Sequence, residues 1–284
     1  MKRLIVNADD FGLHAAINRG IIDGHASGCI TSTSVMTGGE AFADAAARAA
    51  AHPELGVGVH LTLVGAKPVA DPGRIPSLVD REGWFMPQYP QFLARYLRGG
   101  IRPEEIRQEF EAQIHKALAA GMTIGHLDSH QHLHVLPGVI DIVLDIASRL
   151  GIKALRIPAE RATFLGGYPF ALARTISRSG LAALAGLARR KARRRGFAVP
   201  DHFFGMLVGG NLREEYLINI IDHLPEGTSE IMIHPGDDDD ALGAQFGWGY
   251  HWHSELAAAK SAEVRRRITA GNIKLVTFGE LRNG

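Results

Sequence analysis

Gly125-His126-Leu127-Asp128-Ser129-His130-Gln131-His132-Leu133-His134 sets four histidines and a carboxylate at alternate positions of one short stretch. In an extended chain every second side chain points the same way, so His126, Asp128, His130, His132 and His134 share one face for as long as the segment stays extended. Ahead of it, Met122-Thr123-Ile124 has the character of a short buried strand. Behind it, Pro137 predicts the start of a helix whose Ile140, Val143, Leu144 and Ala147 recur at helical spacing. The histidines thus fall where a strand ends and a helix has yet to begin, the ligand-binding end of a parallel α/β fold. A solvated polar loop accounts for one such histidine but not for this density. All five groups cannot reach one ion from so short a segment, so most must support the ligands or meet a substrate, and further ligands must come from other strand ends.

Other strand ends supply them. Leu4 to Asn7 reads as a buried strand, and Ala8-Asp9-Asp10-Phe11-Gly12 puts adjacent carboxylates at its C-terminal end, before a helix from about His14 to His25. Such a pair can cap the helix or, turned into a cleft, divide labour, one binding a cation and the other handling a proton. A strand at Thr31–Met36 and an alanine-rich helix at Glu40–His52 precede Leu55-Gly56-Val57-Gly58-Val59-His60-Leu61, a buried strand that delivers His60 to its end. Glu230-Ile231-Met232-Ile233-His234-Pro235 repeats the pattern with His234.

Between these, residues 62 to 83 lack a period and predict a long loop over the strand ends. Helices are expected at Gln88–Leu97, Pro103–Ala120 and Arg213–Leu224, strands at Ile152–Ile157 and His202–Leu207, and a last helix at Glu255–Ala270 before a strand at Ile273–Phe278. The run Asp237–Asp240 lacks the alternate spacing of a calcium loop and reads as a solvated turn. Gly247-Trp248-Gly249-Tyr250-His251-Trp252-His253 offers aromatics that stack on sugar rings or pin a loop, Trp248 among them. About eight strands with helices between most of them, no internal repeat and no linker give the α/β class, as one domain over 1–284. The economical architecture is a single distorted (β/α) barrel of about seven to eight mostly parallel strands.

The chain has 284 residues, 46% of them hydrophobic, enough for a full core. Its net charge of +1 gives no field that calls for nucleic acid, yet residues 161–200 carry nine Arg or Lys and no Asp or Glu, leaving −8 on the remainder. This basic helical insert, about 164–200, has three readings: a solvated helix end, a surface drawn to anionic lipid through 174–195, and, last because no aromatics interleave, a nucleic-acid surface. Cys29 is the sole cysteine, which excludes an intramolecular disulfide and an all-cysteine zinc site. With neither a signal-peptide pattern nor a membrane span, the chain is expected to be cytoplasmic, with peripheral attachment at the inner membrane face as a variant.

Asp9, Asp10, His60, His130 and His234 lie at four strand ends that one barrel face brings together. An Asp-His-His set binds one divalent ion and leaves positions open for water and substrate, as a catalytic site requires. The second aspartate could then take a proton from water, and a histidine on the far side could protonate a leaving group.

These motifs, Asn7-Ala8-Asp9-Asp10-Phe11-Gly12, His60, the histidine segment and Ile233-His234-Pro235, together resemble the YdjC/ChbG-like carbohydrate deacetylase family over almost the whole chain. Asp201-His202-Phe203-Phe204-Gly205 and the basic insert make it most similar to the hopanoid-biosynthesis-associated (HpnK) branch. The resemblance implies a distorted barrel, a divalent ion (magnesium by family, zinc by ligand type) on Asp10, His60 and His130, Asp9 as general base and His234 as acid. It also implies a homodimer and an N-acetylated amino-sugar substrate, lipid-linked as an N-acetylglucosaminyl hopanoid. Asp128-Ser129 before His130 is nearer to the chitooligosaccharide enzymes, so diacetylchitobiose stands as the alternative substrate. Asp128, His126, His132, His134 and Trp248 are substrate or supporting candidates. A barrel phosphoesterase and a catalytically silent sugar- or lipid-binding module are the rival readings.

Overall fold

The computed structural model describes residues 1–160 and 172–281. In chain order it contains β1 (Lys2–Phe11), α1 (Ala15–Ser27), β2 (Ser32–Val35), α2 (Phe42–Ala51), β3 (Gly56–Leu61), α3 (Tyr89–Leu97), α4 (Pro103–Ala119), β4 (Ile124–Ser129) and α5 (Val139–Leu150). There follow β5 (Ala154–Leu155), α6 (Leu172–Arg194), β6 (His202–Phe204), α7 (Glu214–Asp222), β7 (Gly227–Ile233), α8 (Asp239–Phe246), α9 (Trp252–Lys260), α10 (Ala262–Ala270) and β8 (Lys274–Leu275). The part of the expected basic insert between 164 and 171 lies outside the described residues.

Seven strands run side by side in the order β5-β4-β3-β2-β1-β7-β6, with β8 added against β1, and every strand pairing is parallel. The sheet curls into a half-barrel wrapped by helices. Its two edges approach at one point, where Ala154 and Ala198 form a parallel bridge through Leu155 N–H to Ala198 C=O at 3.0 Å and Ala198 N–H to Lys153 C=O at 2.9 Å. The expected α/β barrel is therefore present as a curled, parallel sheet.

Strand alternation divides the sheet's two faces. On β1, Leu4, Val6 and Ala8 point outward into the main apolar core between sheet and helices, while Ile5 belongs to a small separate cluster with Ala154, Ala198, Val276 and Phe278. That second cluster plugs the N-terminal end of the barrel. Above it the interior turns polar: Asn7, Ser34, His126, Asp128, Arg156 and Glu230 are all fully buried. Gly58 leaves room for this packing, since a Cβ there would lie 2.2 Å from His126 Cε1. Phe278 closes the layer from below, its ring stacked on His126 with centroids 3.7 Å apart.

Several expected boundaries shift, each for a local reason. The segment after Asp128 does not stay extended: β4 ends at Ser129, and His130–Val135 forms a tight turn in which Gln131 and His132 take left-handed φ of 53° and 57°. The five alternate side chains therefore do not share one face. Asp237–Asp240 is not merely a solvated turn, because Asp238 caps α8 by accepting from Ala241 N–H. The single helix expected at Glu255–Ala270 is two, broken at Ser261, whose hydroxyl accepts from Glu263 and Val264 N–H to start α10. Among the described helices none is long and apolar enough to cross a membrane.

Truncating the plug should loosen the whole barrel. Phe278→Ala removes a side chain only 1% exposed, and should cost about 3–5 kcal/mol in urea unfolding; a loss below ~1 kcal/mol would show that the C-terminal segment is peripheral to the fold.

Candidate active site and metal centre

Asp9 and Asp10 are adjacent, so in a regular strand they would face opposite sides. They do not, because β1 carries an extra residue against β2: Ala8 pairs with Thr33 but Phe11 with Val35. Asp10 absorbs the bulge with φ 68°, and such irregularities re-aim side chains next to active sites. Both carboxylates consequently approach one imidazole nitrogen, His60 Nε2, Asp10 Oδ1 at 3.5 Å and Asp9 Oδ2 at 3.9 Å.

His60 is the penultimate residue of β3, and its Nδ1 lies 2.9 Å from Asp128 Oδ1. Because a carboxylate only accepts, Nδ1 carries the hydrogen and Nε2 is turned toward the aspartates. Burial alone would lower the proton affinity of His60, but the charges of Asp128, Asp9 and Asp10 outweigh it and hold its pKa at about 9. His130, in the turn after β4, brings Nδ1 to 3.3 Å from Asp10 Oδ1. Burial would raise the Asp10 carboxyl, and His130, His60 and His234 reverse this and hold it well below the usual carboxylate range.

Donor atoms of Asp10, His60 and His130 lie within 4.8 Å of one another, all in buried residues. Asp10 Oδ1 has no hydrogen bond of its own although two imidazoles converge on it. A buried, unsatisfied oxygen beside two ring nitrogens is the arrangement a borderline divalent cation completes, so the donor set fits the metal that the sequence suggests. Asp9, His60 and Asp128 also cluster, but there the charge is already answered by an arginine.

That arginine is Arg156, beyond the end of β5 and 0% exposed. Its Nη1 and Nη2 bind Asp9 Oδ2 and Oδ1 at 2.6 and 2.7 Å, Nη1 also meets Asp128 Oδ2 at 2.7 Å, and Nε donates to Glu230 Oε1 at 2.6 Å. Asn7 Nδ2 donates to Asp9 Oδ1 and to Ser34 Oγ, each at 2.9 Å, and Ser34 Oγ donates to Asp128 Oδ2 at 2.7 Å. Since the one Ser34 hydrogen is thus committed, His126 Nε2, 3.1 Å away, must be the donor in that contact. Sequence reading passed over Arg156, Asn7, Ser34 and Glu230. The available signal was an arginine inside the apolar run Ala154-Leu155-Arg156-Ile157, which must find carboxylates if that strand is buried.

The remaining candidates separate by position. His126, 0% exposed between Ser34 and Phe278, has its pKa pushed down to about 3 by burial. His134, also 0% exposed, accepts a hydrogen bond from Ser129 O–H at Nδ1 and donates from Nε2 to the Arg156 carbonyl at 2.9 Å. It tethers the histidine turn to the arginine strand, and burial lowers its pKa to about 4. His132 sits edge-on to Phe203, ring centroids 6.1 Å apart. Trp248 stands at the mouth, 5.7 Å from the His130 ring and 5.5 Å from Tyr250, which in turn is 5.1 Å from the His234 ring. An aromatic wall thus joins the two histidines. Opposite it, the loop from Thr62 is strapped down by α4, with Gln113 clamping Thr62 and buried Glu109 accepting from Val69 and Ala70 N–H at 2.9 Å each.

A family model described as YdjC-like protein matches residues 3–270. A carbohydrate deacetylase of Brevibacillus brevis is 33% identical over 98% of this chain and 99% of its own, and one from Thermoanaerobacter pseudethanolicus 30% identical over 99% and 100%. A crystal structure from Enterococcus faecalis V583, whose name proposes cellobiose-phosphate cleavage, superposes with a TM-score of 0.75 at 28% identity, covering 98% of this chain and 97% of that one. With a family match over nearly its full length and deacetylase relatives aligned end to end, the chain belongs to the YdjC-like, carbohydrate deacetylase family.

Proposed function

We propose that this chain is a metal-dependent N-deacetylase that removes acetate from an N-acetylglucosamine-type sugar. The observation that carries the reading is the division of labour between two adjacent carboxylates: Asp9 is gripped by Arg156 and Asn7, whereas Asp10 Oδ1 is left bare between His60 and His130. In this reading Asp10, His60 and His130 hold one divalent ion. When bound, such an ion supplies Lewis acidity toward an amide carbonyl and eases the ionisation of water. Zinc suits two imidazoles and a carboxylate, while magnesium is the ion the family resemblance implies.

Asp9 is the proposed base. Arg156 and Asn7 fix its position, and Oδ2 has a lone pair free toward the His60 side of the cleft, where it can take a proton from water. His234 is the proposed acid. It follows Ile233, which pairs with Ala8, so it stands one strand across from Asp9. An amide nitrogen leaves poorly without a proton, and an acid on this side supplies it. Trp248 is proposed to stack on the sugar, with Asp128 and His126, His132 and His134 supporting the ligands. A phosphoesterase reading loses ground because the arginine at the strand ends is spent on Asp9, Asp128 and Glu230.

The narrower substrate in this proposal is an N-acetylglucosaminyl hopanoid, with diacetylchitobiose as the alternative, acted on by a cytoplasmic homodimer. Part of the basic run is already paired at the surface: Lys191 and Arg193 at the end of α6 and Arg195 just beyond it bind Asp141, Asp201 and Asp145. The outer stripe of Ala183, Leu187, Arg190 and Arg194 is exposed, Leu187 by 60%. That stripe, rather than the whole basic run, is what could rest on anionic lipid.

Three measurements test these assignments. Asp9→Asn should bind metal like the parent but lose about 10²–10⁴-fold in turnover, read as acetate released from diacetylchitobiose and from the hopanoid in detergent; near-normal turnover removes Asp9 as base. His130→Ala should lose the metal itself by elemental analysis, and full retention would move the ion elsewhere. Leu187→Ser with Arg190→Glu and Arg194→Glu should abolish binding to anionic liposomes and spare the soluble substrate; unchanged liposome binding sinks the lipid-surface reading.

A further inference from the structure

Glu255 is a carboxylate that the chemistry above does not use. It sits on α9, 0% exposed, where a lone carboxylate survives only if both oxygens are answered. They are answered by main chain: Oε1 accepts from Leu212 N–H at 3.0 Å and Oε2 from His234 N–H at 2.6 Å. Neither bond neutralises the charge, and among the described residues no Lys or Arg is paired with Glu255. The nearest cation it can find is the side chain of the residue whose backbone it already holds. His234 Nδ1 lies 3.8 Å from Oε2, an ion-pair distance longer than a hydrogen bond, and Nδ1 is buried with no hydrogen-bond partner.

We propose that Glu255 is a positioning residue for His234, holding the imidazole with Nδ1–H toward its carboxylate so that Nε2 is the nitrogen that exchanges a proton with the substrate. Its grip on the His234 amide fixes the ring's root, and the same oxygen draws Nδ1, so the ring has one preferred rotation. The inference rests on the deacetylase reading, in which His234 is the acid. In that step the imidazolium Nε2–H passes its proton to the amine nitrogen as the carbon–nitrogen bond breaks. The bonding pair stays on nitrogen, the acyl carbon keeps the oxygen brought by water and leaves as acetate, and Nδ1 keeps its hydrogen. The other groups facing His234 are Asp9 and Asp10 from β1 and Tyr250 from the loop before α9. Burial disfavours a charged His234, while Glu255, Asp10 and Asp9 together raise its proton affinity above the ordinary histidine value.

The test reads the ring directly. In protein labelled with nitrogen-15 histidine, the His234 signals are found by their loss in His234→Gln, and the neutral ring of the unsubstituted protein should be the Nδ1–H tautomer. Glu255→Gln should lower the His234 titration midpoint, move the basic limb of the pH–rate profile acidward by about one pH unit, and reduce kcat about 10²-fold with KM little changed. An Nε2–H tautomer in the unsubstituted protein overturns the proposal with no variant needed. So does a Glu255→Gln protein that loses rate uniformly across pH while the tautomer and midpoint stay put, the mark of a merely structural residue. Near-normal turnover in His234→Gln takes down the acid assignment itself, and the nitrogen signals, recorded without substrate, still decide the Glu255–His234 contact.

Discussion

One fully buried guanidinium governs this barrel. Arg156 faces Asp9, Asp128 and Glu230 at once, three potential negative charges against one fixed positive charge. Desolvating such a group is costly unless geometry and hydrogen bonding are nearly complete. Here they are: the bidentate fork on Asp9 uses Nη1 and Nη2, and Nε is spent on Glu230. The imbalance shows at the weakest partner. Burial, set against the attraction of Arg156, pushes the Glu230 carboxyl up to about 7, so near neutrality one of the three acids is partly protonated and the excess negative charge eases. What remains is drawn toward His60 and the cluster around Asp10, the side on which the proposed divalent cation would balance it.

The interior of the barrel is therefore an electrostatic device, and the apolar core lies elsewhere. Leu4, Val6 and Ala8 pack outward against helices, while Ile5 and Phe278 seal the bottom. Between seal and mouth each polar group is oriented by the next: Ser34 fixes Asp128, Asp128 orients His60, and His134 fastens the histidine turn to the Arg156 carbonyl. A side chain in such a chain has little rotational freedom left when substrate arrives, which is what preorganised electrostatics requires.

Much of this was legible in the sequence wherever one local rule acted alone. Strand periodicity placed β1, β3 and β7, and chain direction put Asp9, Asp10, His60 and His234 at their C-terminal ends. Alternation failed at Ser129, where a local side-chain contact overrides it: Ser129 Oγ accepts from His134 N–H at 2.9 Å and holds the turn closed. It also failed to expose Arg156 and Glu255, because which carboxylate meets which arginine, and which acid finds a histidine, depends on strand order rather than spacing. The helix break at Ser261 follows from a side-chain cap that competes with helix continuation, a signal easily read as an ordinary polar helical residue. Composition gave a basic helix, but only the folded structure could say which of its cations, with Arg195 just beyond α6, pair with Asp141, Asp201 and Asp145.

The bulge in β1 explains why two neighbouring aspartates can do unlike things. A regular strand would send one of them into the helix-facing core, where an unpaired carboxylate is untenable. One extra residue against β2, with Asp10 at φ 68°, turns both inward at different depths. Asp9 stays level with Arg156, and Asp10 rises to His130. Asp10 shares its left-handed backbone with Gln131 and His132, and these three, with Asn272, are the non-glycine residues that adopt it among those described. Strain of that kind persists only where surrounding contacts over-determine it, and here it separates a carboxylate bound to arginine from one whose Oδ1 has no hydrogen bond.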